Sequence, residues 1–118
     1  MNIQAVSTKL GVIFTRDALV LKSFDMSCYP FEAVLTASLN TLGCRPITKE
    51  KKEYEVEFYF YEISCISIYK FDDYPCEKYT KSSFDEIVDT DKKEQKRFVV
   101  STYDHVFDIT GKCLFKIL

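Results

Sequence analysis

The chain contains 118 residues, with 16 Lys and Arg against 18 Asp and Glu, which gives a formal net charge of −2. Because 47% of the residues are hydrophobic and the chain has only 3 Gly and 3 Pro, the composition excludes a disordered or low-complexity protein. The near balance of charges also lacks the broad positive field that is typical of nucleic-acid-binding proteins. We therefore expect one folded domain over residues 1–118 that does not bind nucleic acid directly.

Five cysteines, an odd number, are spread along the chain, and none forms a C-x-x-C pair. This pattern predicts free thiols rather than a disulfide framework or a zinc site. The apolar runs near the N-terminus, at 12–14 and 18–21, are too short and too close to charges for a secretion signal. No apolar stretch reaches the length of a membrane-spanning helix. The expected location is the cytoplasm, without contact with a membrane.

Two short β-branched or aromatic runs, 10–15 and 18–24, flank the polar pair Arg16-Asp17 and predict a hairpin. The next segment, 31–42, fits both a strand and a helix, because its apolar residues satisfy either spacing. Pro30 before this segment and Gly43 after it favour the helix slightly.

The clearest β-signal is the segment 53–61, in which residue types alternate strictly. One face would carry Tyr54, Val56, Phe58 and Phe60, and the other Glu53, Glu55, Glu57, Tyr59 and Tyr61. This alternation predicts a strand with one buried face. The following run, 63–71, has apolar residues on both sides, which predicts a strand that is covered on both faces at the centre of a sheet.

The sequence Ser83-Phe-Asp-Glu86 matches a capping box and predicts a short helix that begins at Phe84. The mixed-charge segment 89–97 is expected to be a solvated, mobile loop. Three strands follow, at 98–103, 106–109 and 112–117, with a turn at Thr110-Gly111 between the last two. The sequence thus predicts an α+β fold, in which a predominantly antiparallel β-sheet of hairpins and a meander carries one or two short helices.

Residues that could support catalysis or bind a metal are sparse. His105 is the only histidine, and no motif of a nucleophilic Ser or Cys accompanies it, so we expect a surface residue rather than a catalytic base. Asp72 and Asp73 could hold a cation, but a solvated turn is the expected role because no second acidic motif accompanies them. With no two glycines adjacent, the chain also lacks a phosphate-binding loop. The prediction is a protein that is not an enzyme and has neither a cofactor nor a metal site.

The glutamates and tyrosines of 53–61 are the candidate binding residues of the chain. Alternating Glu on an exposed strand discourages aggregation, so an ordinary solvent face is one interpretation. The other is a partner-binding stripe, because tyrosines provide rigid contact area and glutamates attract a basic partner. The predicted partner-binding residues are Glu53, Glu55, Glu57, Tyr59 and Tyr61, extended by Asp72, Asp73, Tyr74 and Tyr79 if the following loop folds over the same side.

The C-terminal part of the chain presents these features in a characteristic order. An aromatic strand ends in Tyr61-Glu-Ile63, an acidic turn follows, and then come Ser83-Phe-Asp-Glu-Ile87, a charged loop and Phe98–Asp104 with Asp108-Ile109. This order resembles the small immunity proteins that bacteria encode beside contact-dependent or other polymorphic toxins. The resemblance implies a cytosolic, non-enzymatic protein that binds one toxin domain, which we expect to be basic, and blocks it.

Two other functions stay open at this point. One is an inhibitor or adaptor, encoded by a phage or mobile element, that binds a host protein. The other is a small enzyme or ligand carrier with an interior pocket lined by Phe and Tyr. The sequence leaves the oligomeric state open.

Overall fold

A computed structural model describes residues 2–46, 52–75, 82–88 and 96–118. The strands are β1 (Asn2–Ala5), β2 (Ser7–Thr8), β3 (Gly11–Ile13), β4 (Leu19–Cys28), β5 (Phe31–Asn40), β6 (Cys44–Arg45), β7 (Glu53–Lys70), β8 (Phe84–Val88), β9 (Arg97–Ser101) and β10 (His105–Ile117). Single 3-10 turns cover Arg16–Ala18, Thr41–Gly43 and Phe71–Asp73. The predominantly antiparallel sheet is confirmed, whereas the described residues contain no α-helix and the α+β class is not confirmed.

The strands form two sheets that share one core. The large sheet has seven strands in the order β1-β8-β9-β10-β7-β5-β4, and the small sheet has the order β2-β3-β6. All the pairings are antiparallel. The two longest strands, β7 and β10, are neighbours and form the middle of the large sheet.

The large sheet curls strongly about one side. The rings of Phe24 on β4 and Phe107 on β10 are 4.8 Å apart, although β5 and β7 lie between these strands. In a flat sheet, strands three positions apart are separated by about 14 Å. The N–H of Tyr103, in the β9–β10 turn, also donates to the carbonyl of Leu19 at 2.9 Å. The sheet therefore has a concave side, which encloses the core, and a convex side.

The concave side is filled by large apolar side chains. Phe58, Phe60 and Phe107 are almost completely buried, and the small sheet adds Ile13 and Cys44 to the same core. Burial of each such large side chain contributes about 1.5–3 kcal/mol to the free energy of unfolding. The apolar residues that alternate along 53–61 are therefore the ones that point into this core.

A bulge divides β7 and β10 into two halves. Thr110 pairs with Cys65 and Lys112 with Tyr61, so that Glu62–Ser64 lie opposite Gly111 alone. Glu62 has a φ of 49°, and a Cβ atom at Gly111 would lie 3.0 Å from the Cα of Ile63. The turn predicted at Thr110-Gly111 is therefore wrong. Gly111 is the close-approach point of a bulge within one continuous strand, so two strands rather than three end the chain.

Both predicted helices are strands. Residues 31–40 form β5, in which Ala33, Leu35, Ala37 and Leu39 are buried at every second position, and only a single 3-10 turn follows. Residues 84–88 form β8 between β1 and β9. Asp85, at an inner position of the apparent capping box, is fully buried and accepts hydrogen bonds from Ser82, the residue before the box. Pairing on both sides therefore overrides the local capping signal.

The predicted N-terminal hairpin and central strand are also corrected. β3 pairs with β2 and β6, whereas β4 pairs with β5, so the two runs of the expected hairpin belong to different sheets. Residues 63–70 continue β7 and pair with β10, but Cys65 and Ile68 are exposed, so this segment is not covered on both faces. Most of the predicted loop 89–97 lies outside the described residues, and Arg97 begins β9.

Candidate functional site

The convex side is exposed along β4, β5, the first half of β7 and the second half of β10, and we call this surface the outer face. Strand register places Thr36 and Lys116 beside Glu57, and Val34 and Leu114 beside Tyr59. The register of β4 adds Ser23 and Asp25 next to Thr36 and Val34. The outer face comprises Val20, Ser23, Asp25, Glu32, Val34, Thr36, Ser38, Glu53, Glu55, Glu57, Tyr59, Tyr61, Lys112, Leu114 and Lys116.

The five stripe residues predicted from the alternation lie together on this face. Glu53 and Glu55 are exposed, and Glu57, Tyr59 and Tyr61 are half-buried between neighbouring strands. The alternate residues Val56, Phe58 and Phe60 are completely buried on the concave side. The predicted assignment of the two faces of 53–61 is thereby confirmed.

The two tyrosines form the centre of the outer face. Their ring centroids are 5.4 Å apart. The hydroxyl of Tyr59 donates a hydrogen bond to the carboxylate of Glu32, and this bond, with a smaller effect of desolvation, raises the pKa of Tyr59. Leu114 beside them is 55% exposed. The face therefore presents an oriented aromatic centre with an exposed apolar neighbour.

Charges of both signs surround this centre. With the ion-pair partners Lys22 and Glu62 included, the ammonium groups of Lys22, Lys112 and Lys116 stand against six carboxylates, an excess of three negative charges. The carboxylates are those of Asp25, Glu32, Glu53, Glu55, Glu57 and Glu62. Lys22 lies 3.7 Å from Glu55. Lys112 contacts Glu62 at 2.6 Å, and this bond raises the pKa of Lys112. The neighbouring strands thus place lysines as well as further carboxylates around the stripe, and sequence reasoning missed both.

Tyr74 differs from the expectation of an exposed binding residue. It is only 6% exposed, and its hydroxyl donates to Asp108 at 2.9 Å. Arg97 donates to both oxygens of the same carboxylate, at 2.7 and 2.5 Å. Tyr74 packs with Val99 and Val106 on the covered half of the convex side. It therefore anchors the segment after β7, whereas Tyr79 lies outside the described residues.

Asp72 and Asp73 lie at the far end of β7 from the stripe. They line a cleft of about 400 Å³ together with Arg16, Lys70, Phe71, Asp104 and His105. The guanidinium carbon of Arg16 is 3.9 Å from the centroid of the Phe71 ring, and its Nε donates to the carbonyl of Tyr103 at 3.1 Å. The structure therefore does not bring the acidic turn to the stripe. Arg16 instead joins this turn to the β9–β10 turn.

The side chains that line the cleft are mainly charged. None of the described residues that line it beside His105 is Ser, Thr or Cys. Within the described ranges, no group of three or more His, Cys, Asp or Glu side chains could hold a metal ion. The lining is mainly charged, unlike the pocket of Phe and Tyr that a ligand carrier was expected to have.

Four free cysteines lie in the described residues. Cys28 and Cys65 are exposed, Cys44 is buried and Cys113 is half-buried. Burial raises the pKa of Cys113 to about 12. Burial also raises the pKa of Cys44, against a smaller opposite effect of Arg45.

Comparisons with protein-family models, with curated proteins and with solved structures found no match. Among the described residues, no helix is long and apolar enough to cross a membrane.

Proposed function

We propose that this chain is a non-enzymatic binding protein that neutralises a basic toxin domain in the manner of an immunity protein. The observation that carries the proposal is the outer face, where an excess of negative charge surrounds the paired rings of Tyr59 and Tyr61. The function therefore resides in a surface rather than in a catalytic site.

The composition of the outer face suits reversible protein binding. Tyrosine side chains have few rotatable bonds, so they bury much area at a low entropic cost. Tyr59 is further restrained by its hydrogen bond to Glu32. The surrounding carboxylates accelerate association with a basic surface, and they do so less at high salt. We expect binding to depend on the tyrosines for its lifetime and on the glutamates for its rate of formation.

The proposed location is the cytoplasm, which the odd number of cysteines supports. An inhibitor or adaptor that binds a host protein would use the same outer face, and only the identity of the partner distinguishes it from an immunity protein. A toxin reading frame next to the gene, and capture of that toxin by the purified protein, would favour immunity.

The test of this proposal is charge reversal on the outer face. Glu55→Lys combined with Glu57→Lys should slow association with the toxin domain and make binding less salt-sensitive. Asp72→Lys combined with Asp73→Lys is the matched control, because it makes the same change of charge at the far end of β7. Calorimetry and association kinetics at two salt concentrations measure the difference.

Truncation of the central tyrosine tests the aromatic part of the proposal. Tyr59→Ala should weaken binding by about 2 kcal/mol, mainly through faster dissociation. Tyr29→Ala is the control, because Tyr29 is fully exposed in the β4–β5 turn. Thermal melts should show that all variants fold. Unchanged binding in both the glutamate and the tyrosine variants would exclude the outer face as the binding site.

A further inference from the structure

The strand β4 forms one edge of the seven-stranded sheet, and we call its outer side the β4 edge. On that side no strand of the described residues pairs with it. Val20 and Met26 are each 53% exposed, and every residue from Asp25 to Cys28 is exposed. An exposed edge strand presents unpaired N–H and C=O groups, which are a template for pairing with another chain.

Hydrogen bonds elsewhere in the sheet determine which backbone groups point outward from β4. The N–H of Thr41, directly after β5, donates to the carbonyl of Lys52, directly before β7, so the backbone groups of Thr41 point toward β7. Because successive residues of a strand point their N–H and C=O groups to alternate sides, the odd-numbered residues of β5 also point theirs toward β7. Their partners on β4, including Phe24 and Met26, must then point away from β5. The bond from the N–H of Tyr103 to the outward carbonyl of Leu19 agrees with this assignment.

The regular part of the edge is Ser23–Cys28, because a bulge at Lys22 interrupts the pairing with β5. Within it, Phe24, Met26 and Cys28 direct N–H and C=O groups outward. Their side chains lie on the concave side, whereas Ser23, Asp25 and Ser27 belong to the outer-face side. The edge can therefore pair with an extended segment that has one apolar and one polar side.

We propose that the β4 edge binds an extended, basic segment of the partner protein by antiparallel strand addition. This proposal rests on the proposed function, since the added strand would lead the partner onto the adjoining outer face. A Lys or Arg of the segment would lie opposite Asp25, and apolar residues would lie opposite Phe24 and Met26. Glu32 on the neighbouring strand adds to the negative charge beside Asp25.

A second copy of this chain is a poorer occupant of the same edge. Twofold pairing centred on Asp25 would place two carboxylates directly opposite each other, which is destabilising. Pairing centred on Met26 avoids this contact but engages only residues 24–28, because Ser23 would then lie opposite the β4–β5 turn. A partner segment can use the whole regular stretch.

The probe for the test is a short acetylated peptide in which lysine and valine alternate. Its control is the same peptide with N-methylated valines, which keeps the charges but removes the N–H groups that would face β4. Met26→Pro removes one outward N–H from the protein without loss of a bond to β5, and prolines of this orientation are tolerated on edge strands. Met26→Ala is the matched variant that keeps this N–H.

The proposal expects the lysine–valine peptide to bind the parent protein. Met26→Ala is the reference for Met26→Pro, because both variants lack the methionine side chain and only the proline variant lacks the outward N–H. Met26→Pro, or N-methylation of the peptide, should lower the affinity by about tenfold or more. The N-methylated peptide is decisive even if Met26→Pro fails to fold. Absence of binding, binding that survives N-methylation, or dimerisation of the free chain that Met26→Pro abolishes would each overturn the proposal.

The same peptide separates this proposal from the proposed function. Peptide binding should be retained in the Asp72→Lys, Asp73→Lys control, and it should weaken in Asp25→Lys, whose charge lies opposite the basic residue. If the peptide binds as expected while the Glu55→Lys, Glu57→Lys variant and Tyr59→Ala both leave toxin binding unchanged, strand addition is retained and the outer face is excluded. If the peptide fails but the glutamate variant weakens toxin binding, only the β4 edge is excluded.

Discussion

Replacement of Arg97 by alanine should destabilise the fold more than most single substitutions. The carboxylate of Asp108 is buried, and it accepts two bonds from the Arg97 guanidinium and one from Tyr74. In Arg97→Ala both guanidinium bonds disappear while the charge of Asp108 stays buried. Removal of one partner from such a pair costs about 3 kcal/mol, because the remaining ion has lost its compensation. The cluster also holds the segment that carries Asp72 and Asp73, so this segment should loosen first.

Urea denaturation of a double-mutant cycle measures this effect. Arg97→Ala, Asp108→Ala and the combined variant should give a coupling free energy of about 2 kcal/mol, since the two side chains form one unit. Arg97→Lys keeps the charge but loses the two-pronged geometry, and it should cost roughly half as much as Arg97→Ala. A loss below about 1 kcal/mol in Arg97→Ala would be typical of an exposed pair and would refute the argument from burial.

Four further outcomes are expected. Gly111→Ala should cost about 2 kcal/mol in urea denaturation, because its Cβ atom would press on the backbone of the facing bulge. In alkylation followed by mass spectrometry at mildly alkaline pH, Cys65 should react well before Cys113. Because burial raises the pKa of Cys113 to about 12, the folded chain retains a proton that the unfolded chain loses, so stability should be full below about pH 8.5 and fall as the pH rises toward that pKa. His105→Ala should leave the proposed neutralisation of a toxin within a few-fold of the parent, and a loss of several orders of magnitude in a folded variant would indicate catalysis.

The strand over 53–61 could be predicted because its two faces meet different surroundings. One face lies on the core and the other meets solvent, so the alternation of residue types directly reports the structure. The second half of the same strand could not be interpreted in this way. Beyond the bulge at Glu62, residues such as Cys65 and Ile68 are apolar yet exposed, and a rule based on hydrophobicity predicts their burial.

The elements that were predicted as helices show how pairing overrides local signals. In 31–42 the helical and the strand spacing fit equally well, and Pro30 and Gly43 slightly favoured the helix. Pro30 instead lies in the β4–β5 turn, and Gly43 lies in the 3-10 turn after β5. At Ser83–Glu86 the capping pattern was complete, but β1 and β9 satisfy the backbone of this segment from both sides. Such pairings join residues that are distant in sequence, so single-sequence patterns do not contain them.

The candidate site was predictable in its stripe but not in its surroundings. Glu57 and Tyr59 share a face by periodicity alone, whereas Lys116 and Leu114 become their neighbours only through the register of β10 with β7. The same applies to Tyr74, whose burial depends on its contact with Asp108, 34 positions further along the chain. Which charges surround a residue on a sheet surface therefore depends on the order and register of the strands.

The two halves of the convex side indicate why the outer face is left uncovered. One half of the convex side is formed by β9 and the first half of β10. It carries Val99 and Val106, and the segment with Tyr74 covers them. The other half is the outer face, which carries mostly Ser, Thr, Glu and Lys. These side chains remain hydrated when nothing covers them. Burial of this half by the rest of the chain would bring little apolar area and would desolvate its charges. A partner that binds there must therefore supply opposite charges and contacts to the tyrosines, which makes salt dependence the property that best separates this mode of binding from burial of an apolar patch.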